Sequence, residues 1–313
     1  MLRYTSDAPQ QALGFLLSQT SAIESAVWSV RYPDITYPEF VPVDNSAPAW
    51  IKSVTYFSRD GGGAAKWMNG SANDFPLVGM TREKHETTVE MAGIGYDYTI
   101  EELEQARLLG MNVPADKAMI ARRAYEELVE DVAYVGDTGK GFTGLFNNAS
   151  VTAADVADGA NSTPGWSTKT PDEILKDVNT ALTGVWTTTK TVAMADTLLL
   201  PLDQYADIAT RRLSDTSDKT ILEWVEKNNI YTKVTGKPLT IRANRFLAGA
   251  GEGSTDRMVV YRKSPEVLKM HLPMRLQFMA PQLSGIRYMV PGIFRLGGVD
   301  IRLPNEVRYY DAI

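Results

Sequence analysis

The sequence contains no cysteine among its 313 residues. This absence excludes a disulfide-bonded scaffold, a cysteine nucleophile, a thiolate-bound zinc site and an iron–sulfur cluster. Histidine is almost as scarce, because His85 and His271 are the only two. General acid–base catalysis near neutral pH most often uses histidine, so its scarcity makes an enzyme a poor first hypothesis.

Excess positive charge and long apolar runs are also missing. Lys and Arg number 32 against 38 Asp and Glu, a net charge of -6, which provides no global basic field for nucleic acid. No segment reaches the ~18 apolar residues that a membrane helix needs, and residues 13–17 are too short for the core of a signal peptide. We therefore expect no membrane partner and no export by a signal peptide.

Two sequence patterns could suggest chemistry, but neither has the required context. Gly139, Gly141 and Gly144 fit the G-x-G-x-x-G string. A dinucleotide site needs a strand before that string and a helix opening at it, whereas here a predicted helix precedes it and loop residues follow. We interpret the string as a turn and predict no cofactor. A hydrolase or a dinucleotide-dependent enzyme stays as the weakest alternative.

Four acidic residues on one predicted helix raise the possibility of a carboxylate metal site. They are Glu126, Glu127, Glu130 and Asp131. Known dimetal bundles add a histidine three residues after a glutamate, and the sequence contains no Glu-x-x-His. We expect a solvated helix face, and we identify no catalytic, cofactor-binding or metal-binding residue.

The first 49 residues are rich in proline and aromatic residues. The prolines of the second half are Pro33, Pro38, Pro42 and Pro48. This density disfavours a regular helix or a central strand and favours an extended strap. Tyr32, Tyr37 and Phe40 have no obvious core of their own chain within reach, so we predict that they contact a neighbouring subunit.

A long hairpin is predicted over residues 50–95. Alternating β-branched and aromatic residues from position 51 to 57 end at a glycine-rich stretch, and a second strand pattern starts near Glu86. Such a long connection is unusual unless it has a function. Its apolar residues Trp67, Met68 and Phe75 are predicted to contact another subunit.

Over the rest of the chain a long helix and an inserted α/β module are predicted first and a closing set of strands follows, an arrangement of the α+β class. Residues 115–135 have helical spacing, with Ala121, Ala124, Leu128 and Val132 predicted to face the core. Thr170-Pro171-Asp172-Glu173 predicts a helix starting at residue 171. A buried-type strand at 197–200, helices near 201–211 and 221–225, and six strands from residue 239 onward are predicted after it.

Several local motifs together resemble one family. Gly136-Asp137 followed by Phe142-Thr143-Gly144-Leu145-Phe146-Asn147, the strap motif Tyr37-Pro38-Glu39-Phe40-Val41-Pro42-Val43, and Gly297-Gly298-Val299 are among them. They resemble the major capsid proteins of tailed bacteriophages, which have the Hong Kong 97-type fold that encapsulins share. The similarity is greatest to a prophage capsid subfamily.

The resemblance implies a division of the chain into four parts. Residues 1–49 would be an N-arm and 50–95 an E-loop hairpin. Residues 96–165 and 263–313 would form a peripheral domain around a long spine helix, with the last strands as candidates to return to the axial domain. Residues 166–262 would be that axial α/β domain.

The resemblance also implies a function and partners. Copies would assemble into hexamers and pentamers of an icosahedral shell around double-stranded DNA, which is contacted nonspecifically, in a virion assembled in the host bacterial cytoplasm. A portal, and scaffolding or decoration proteins, would be further partners. The main alternative is an encapsulin-like nanocompartment that holds cargo protein. Lys66 is the candidate lysine for covalent crosslinking, although no asparagine or glutamate partner is identifiable.

Overall fold

The computed structural model describes residues 32–67, 76–108 and 113–313. The chain divides into two compact units, Met1–Asp34 and Ile35–Ile313. All helices and strands of the described residues lie in the second unit, and they confirm the predicted α+β class.

Seven α-helices occur in the described part of the chain. They are α1 (Tyr37–Phe40), α2 (Ile100–Leu108), α3 (Val113–Tyr134), α4 (Pro171–Thr188), α5 (Leu202–Thr210), α6 (Ile221–Asn228) and α7 (Ile230–Thr235). The start of α4 is confirmed: Thr170 Oγ1 accepts from the Glu173 N–H while the Glu173 carboxylate accepts from the Thr170 N–H. The sequence did not predict α1, a single turn that tolerates Pro38 because the first turn needs no internal N–H donor.

The strands of the described residues form five sheets. They are β1 (Val43–Asp44), β2 (Ser53–Gly62), β3 (Gly79–Gly93), β4 (Tyr96–Thr99), β5 (Gly136–Asp137), β6 (Phe142–Thr143), β7 (Thr152–Asp155), β8 (Thr197–Leu200), β9 (Thr240–Ala243), β10 (Arg257–Tyr261), β11 (Leu268–His271), β12 (Met274–Phe278), β13 (Gln282–Ser284), β14 (Arg287–Val290), β15 (Gly292–Gly297), β16 (Val299–Ile301) and β17 (Val307–Asp311). Their orders are β1-β11-β16, β7-β17-β10-β8-β9, β12-β15-β3-β2, β13-β14-β4 and β5-β6.

The five-stranded sheet separates two hydrophobic cores. All residues of its central strands β8 and β10 are buried. Successive side chains point to opposite faces, so Leu199 and Val259 join the core that contains α3, while Leu198 and Val260 join the core that contains α4. Burial on both faces explains why β8 is continuously apolar in sequence.

The buried face of α3 differs from the prediction. Ala121 and Val132 are buried as expected, but Ala124 is half-buried and Leu128 is 40% exposed. Tyr125 lies in the core, with its ring 4.7 Å from that of Phe294 in an edge-to-face arrangement. Tyr125 faces the core, and the buried stripe of α3 on which it lies does not contain Leu128.

The aromatic residues of the strap also depart from the prediction. Tyr37 and Phe40 are buried in the core of their own chain, where the Tyr37 hydroxyl donates to Glu126 and the Tyr261 hydroxyl donates to the Phe40 carbonyl. The premise that they lack an intramolecular core is therefore wrong, and their predicted contact with another subunit loses its basis. Tyr32, in the first unit, is exposed.

The acidic face of α3 is not uniformly solvated, contrary to the prediction. Glu130 is 0% exposed. Its Oε1 accepts from the backbone N–H of Thr36 at 2.7 Å and from its hydroxyl at 2.9 Å, and its Oε2 accepts from Arg245 Nη2 at 2.6 Å. One carboxylate thus joins the strap, the helix and the segment after β9.

The glycine string forms the turn that the sequence indicated. Gly141 has a φ of +71°, and a Cβ on Gly144 would lie 2.3 Å from the Tyr134 carbonyl oxygen. The string follows α3 and contains β6 between Gly141 and Gly144, and the next α-helix, α4, begins only at Pro171. The backbone geometry of a dinucleotide site is therefore not formed at these residues.

Candidate assembly surface

The long hairpin extends beyond the sheet that anchors it. Strands β2 and β3 pair in antiparallel register from Ser53↔Thr88 to Gly62↔Gly79. Only residues 89–93 of β3 also pair with β15. We call residues 53–62 and 79–88 the ribbon; at about 3.4 Å per residue it is roughly 30 Å long. Both strands continue further than predicted, so the connection shortens to residues 63–78.

The ribbon and its connection expose large apolar side chains. Phe57 is 70% and Met80 58% exposed on the ribbon, and Trp67, Leu77 and Val78 are almost fully exposed on the connection. A two-stranded ribbon is marginally stable on its own, and clustered apolar exposure marks a contact surface. The other two predicted contact residues, Met68 and Phe75, lie outside the described residues.

The base of the ribbon is fixed to the body by aromatic and ionic contacts. Tyr56 stacks on His85 with ring centroids 4.8 Å apart, and the Arg302 guanidinium carbon lies 4.3 Å from the centroid of Tyr56. Arg302 also donates to Asp300 at 2.9 Å. These contacts hold one face of the ribbon at its base against β16 and give the ribbon a defined direction.

An ionic cluster joins the strap to the same base. Lys269 on β11 donates to Asp44 of β1. His271 is buried between two carboxylates, with Nδ1 3.9 Å from Asp44 Oδ2 and Nε2 3.6 Å from Asp300 Oδ2. The hydrogen bond from Lys269 holds the pKa of Asp44 well below its usual range. Burial acts to raise the pKa of Asp300, but His271 and Arg302 outweigh it, so this pKa is lowered too.

A second buried ion pair ties the C-terminal strand to the central sheet. Arg257 donates from Nε to Asp311 Oδ1 at 2.6 Å and from Nη2 to Asp311 Oδ2 at 2.7 Å. Its Nη1 donates to the Phe146 carbonyl at 2.6 Å. Burial acts to raise the pKa of Asp311, but the hydrogen bonds from Arg257 and from the Glu252 N–H outweigh it and lower the pKa.

The lowered pKa of Asp311 predicts that the contribution of this carboxylate to stability is lost in acid. A carboxylate with a depressed folded-state pKa contributes stability that is present above its unfolded pKa, near 4, and is lost as the pH falls through the folded value. We expect Asp311→Asn to lower the free energy of unfolding at pH 7, and the difference from wild type to narrow below about pH 4. Urea unfolding of the unassembled protein from pH 7 to 3 measures this difference. A difference that is constant over that range would contradict the prediction.

Neither a metal-binding cluster nor a membrane-spanning helix is formed by the described residues. In residues 32–67, 76–108 and 113–313 no three His, Asp or Glu side chains are placed to hold a metal ion. Across the same part of the chain, no helix combines the length and the apolar character that crossing a bilayer requires. The ribbon and its connection are the candidate functional surface because of their exposed apolar side chains.

Comparison with solved structures identifies the fold. The chain is similar to the capsid protein of Myoviridae phage XM1, with a TM-score of 0.79 and 18% identity over 95% of this chain and 98% of that chain. It is also similar to the capsid of a native GTA particle, with a TM-score of 0.64 and 10% identity over 99% of each chain. A virus-like particle from Pyrococcus furiosus follows at a TM-score of 0.52 and 13% identity, covering 88% of this chain and 91% of that one. The predicted Hong Kong 97-type fold is confirmed.

The fold defines a shell-forming structural protein. Residues 63–313 match the family model described as major capsid protein. The chain belongs to this major capsid protein family, assembles with copies of itself and has its place in the capsid of a virion. No curated protein sequence matches it.

Proposed function

We propose that this chain is the major capsid protein of a tailed phage or prophage, and that its copies form the hexamers and pentamers of an icosahedral shell around double-stranded DNA. The observation that carries the proposal is the ribbon, which extends past its anchoring sheet with its apolar side chains exposed. A surface of this kind is stabilised when a second copy covers it.

The four-part division of the chain belongs to the proposal. Residues 1–49 act as an N-arm, 50–95 as an E-loop, 96–165 with 263–313 as the peripheral domain, and 166–262 as the axial domain. Pairing of β17 with β10 supports a return of the last strand to the axial sheet. The parallel pairing of β7 with β17 extends that sheet to residues before 166, so the boundary near this position crosses a continuous sheet.

We also propose further partners, namely a portal, scaffolding or decoration proteins, and DNA. The shell takes up a portal at one vertex and is assembled in the bacterial cytoplasm with scaffolding or decoration proteins where the virus encodes them. Contact with DNA is nonspecific and is made by local groups, because a net charge of -6 provides no overall basic field.

A cargo-holding nanocompartment is the second candidate, and the similarity to the Pyrococcus furiosus virus-like particle favours it. The contents of purified particles separate the two: double-stranded DNA supports the phage shell, and a co-purifying enzyme supports the compartment. Terminase, portal and protease genes nearby would point to the phage, and a peroxidase or ferritin-like gene to the compartment.

Electron microscopy of the purified protein tests the proposal directly. We expect shells, rings or tubes to form across a screen of salt and pH, because each copy exposes the apolar surface of its ribbon. Light scattering at high concentration serves as a second measurement. A stable 34.5 kDa monomer under every condition would contradict the proposal.

A further inference from the structure

The open face of the ribbon carries an unbalanced positive charge. The antiparallel register places Phe57 opposite Lys84 and Arg59 opposite Arg82 on one face. Adjacent pairs on the same face are Thr55 opposite Glu86 and Gly61 opposite Met80. Every residue of these four pairs is exposed. We call this surface the cationic face.

Two arginines meet on this face without an acidic neighbour. Like charges directly opposite each other in an antiparallel pair destabilise it. Lys84 has a partner, because its ammonium lies 3.0 Å from Glu86. Within the described part of the chain, neither Arg59 nor Arg82 makes an ion pair or a side-chain hydrogen bond. Together with Phe57, Ser58 and Lys84 they line a shallow groove of about 560 Å³.

The opposite face has different chemistry. Asp60 and Glu83 are exposed near the end of the ribbon. Tyr56 and His85 are half-buried nearer its base, where Arg302 packs on the ring of Tyr56. The cationic face is therefore the side that the body of the same chain leaves uncovered, and the two sides of the ribbon near its end carry opposite charges.

We propose that the cationic face binds a carboxylate-bearing surface of a second copy of this chain in a head-to-tail contact. An isologous contact would bring the Arg59 and Arg82 pair against the same pair, so the two copies must use different surfaces. Guanidinium groups bind carboxylates through paired hydrogen bonds, and a second copy carries an excess of acidic residues. The exposed Phe57 ring and Met80 side chain beside the cations suit a protein surface better than a phosphate backbone.

A head-to-tail contact closes a ring or continues as a filament, so this charge pattern also determines the direction in which copies are added. The inference rests on the proposed shell function and names the chemistry of one of its contacts. It predicts that assembly weakens as salt screens the cationic face.

Neutralising the two arginines tests the inference. We expect Arg59→Gln/Arg82→Gln to lose particle formation at physiological ionic strength, and Arg59→Lys/Arg82→Lys to retain it at reduced yield. Circular dichroism and melting of the unassembled protein should stay at wild-type values, because both side chains are exposed and the change relieves repulsion. Wild-type assembly should weaken with added salt, while residual assembly of the Gln variant should not.

Each result supports or overturns the inference. A Gln variant with the yield and salt response of wild type overturns it and leaves the shell function in place. Nuclease-treated wild type that assembles only when nucleic acid is added also overturns it, because the occupant of the face would then be a phosphate backbone. Failure of wild type to assemble at all would contradict the shell function as well.

A single introduced cysteine tests the head-to-tail geometry, since the natural chain has none. In Thr55→Cys the thiol lies on the cationic face, so we expect a maleimide to label it in free subunits and not in particles. Under oxidising conditions the assembled variant should stay free of disulfide-linked dimers. Full labelling in particles would show that the face is uncovered, and abundant dimers would show that it meets itself; either result overturns the inference.

Discussion

Replacing residues 63–78 by Asn-Gly should abolish particle formation and leave the subunit folded. Gly62 and Gly79 are the last paired residues of the ribbon, and two residues of this type can close an antiparallel hairpin. The removed connection carries Trp67, Leu77 and Val78 with their apolar surfaces in solvent, so the subunit loses little of its own core. Melting of the unassembled variant should match wild type, while micrographs should show no shells.

The expected effect on assembly is large because the same apolar surface is lost at every contact between subunits. Apolar surface removed from water contributes roughly 25 cal/mol per Å², and in a shell each copy provides this surface once. A control variant, Trp67→Ser with Leu77→Ser and Val78→Ser, keeps the length of the connection and removes only its apolar side chains. It separates the loss of apolar surface from the shortening of the hairpin, and we expect it to form no shells either. Normal shells from the shortened chain would show that the connection is dispensable. A variant that no longer folds would place it in the subunit core.

Features that depend on neighbouring residues in sequence were predictable. The cap of α4 is a four-residue signal, and the structure forms both of its reciprocal hydrogen bonds. The apolar run of β8 indicated burial on both faces, which its position between β10 and β9 explains. The length of α3 followed from its spacing and its glycine end. For α4 and α3 the physical cause lies within a few residues of the signal, whereas for β8 the signal is local and the strands that bury it are distant in sequence.

Features that depend on distant partners were not predictable. Glu130 looked like a member of a solvated acidic face, because nothing in its own helix shows that Thr36 and Arg245 meet it. Tyr37 and Phe40 looked unpartnered because their core comes from residues far along the chain. Charged surface patterns fall in the same group: Arg59 and Arg82 become neighbours only through the register of the ribbon. The sequence could locate the candidate surface, but it could not show which charged residues share each face of the ribbon.

Removing the Glu130 carboxylate should destabilise the subunit more than any other single change on the acidic face of α3. In Glu130→Ala the backbone N–H of Thr36 loses its acceptor, the Thr36 hydroxyl and Arg245 each lose their contact with the carboxylate, and the removed side chain leaves a cavity. Breaking a buried pair costs about 3–5 kcal/mol. Because the Arg245 side chain is 41% exposed and can be hydrated, we expect a value of about 3 kcal/mol or slightly less.

Urea unfolding of the unassembled protein measures this loss, and hydrogen exchange of residues 36–41 locates it. Glu127→Ala is the matched control, since Glu127 lies three residues before Glu130 on α3, is 43% exposed, and forms an ion pair with Arg123 at 2.8 Å. A pair of this i,i+4 type contributes only about 0.2–0.5 kcal/mol. Glu130→Gln should fall between the two, because the amide oxygen still accepts from Thr36 while the charge opposite Arg245 is gone. If Glu130→Ala and Glu127→Ala unfolded at the same urea concentration, the carboxylate would not hold the strap. Its burial would then be a consequence of packing rather than a source of stability.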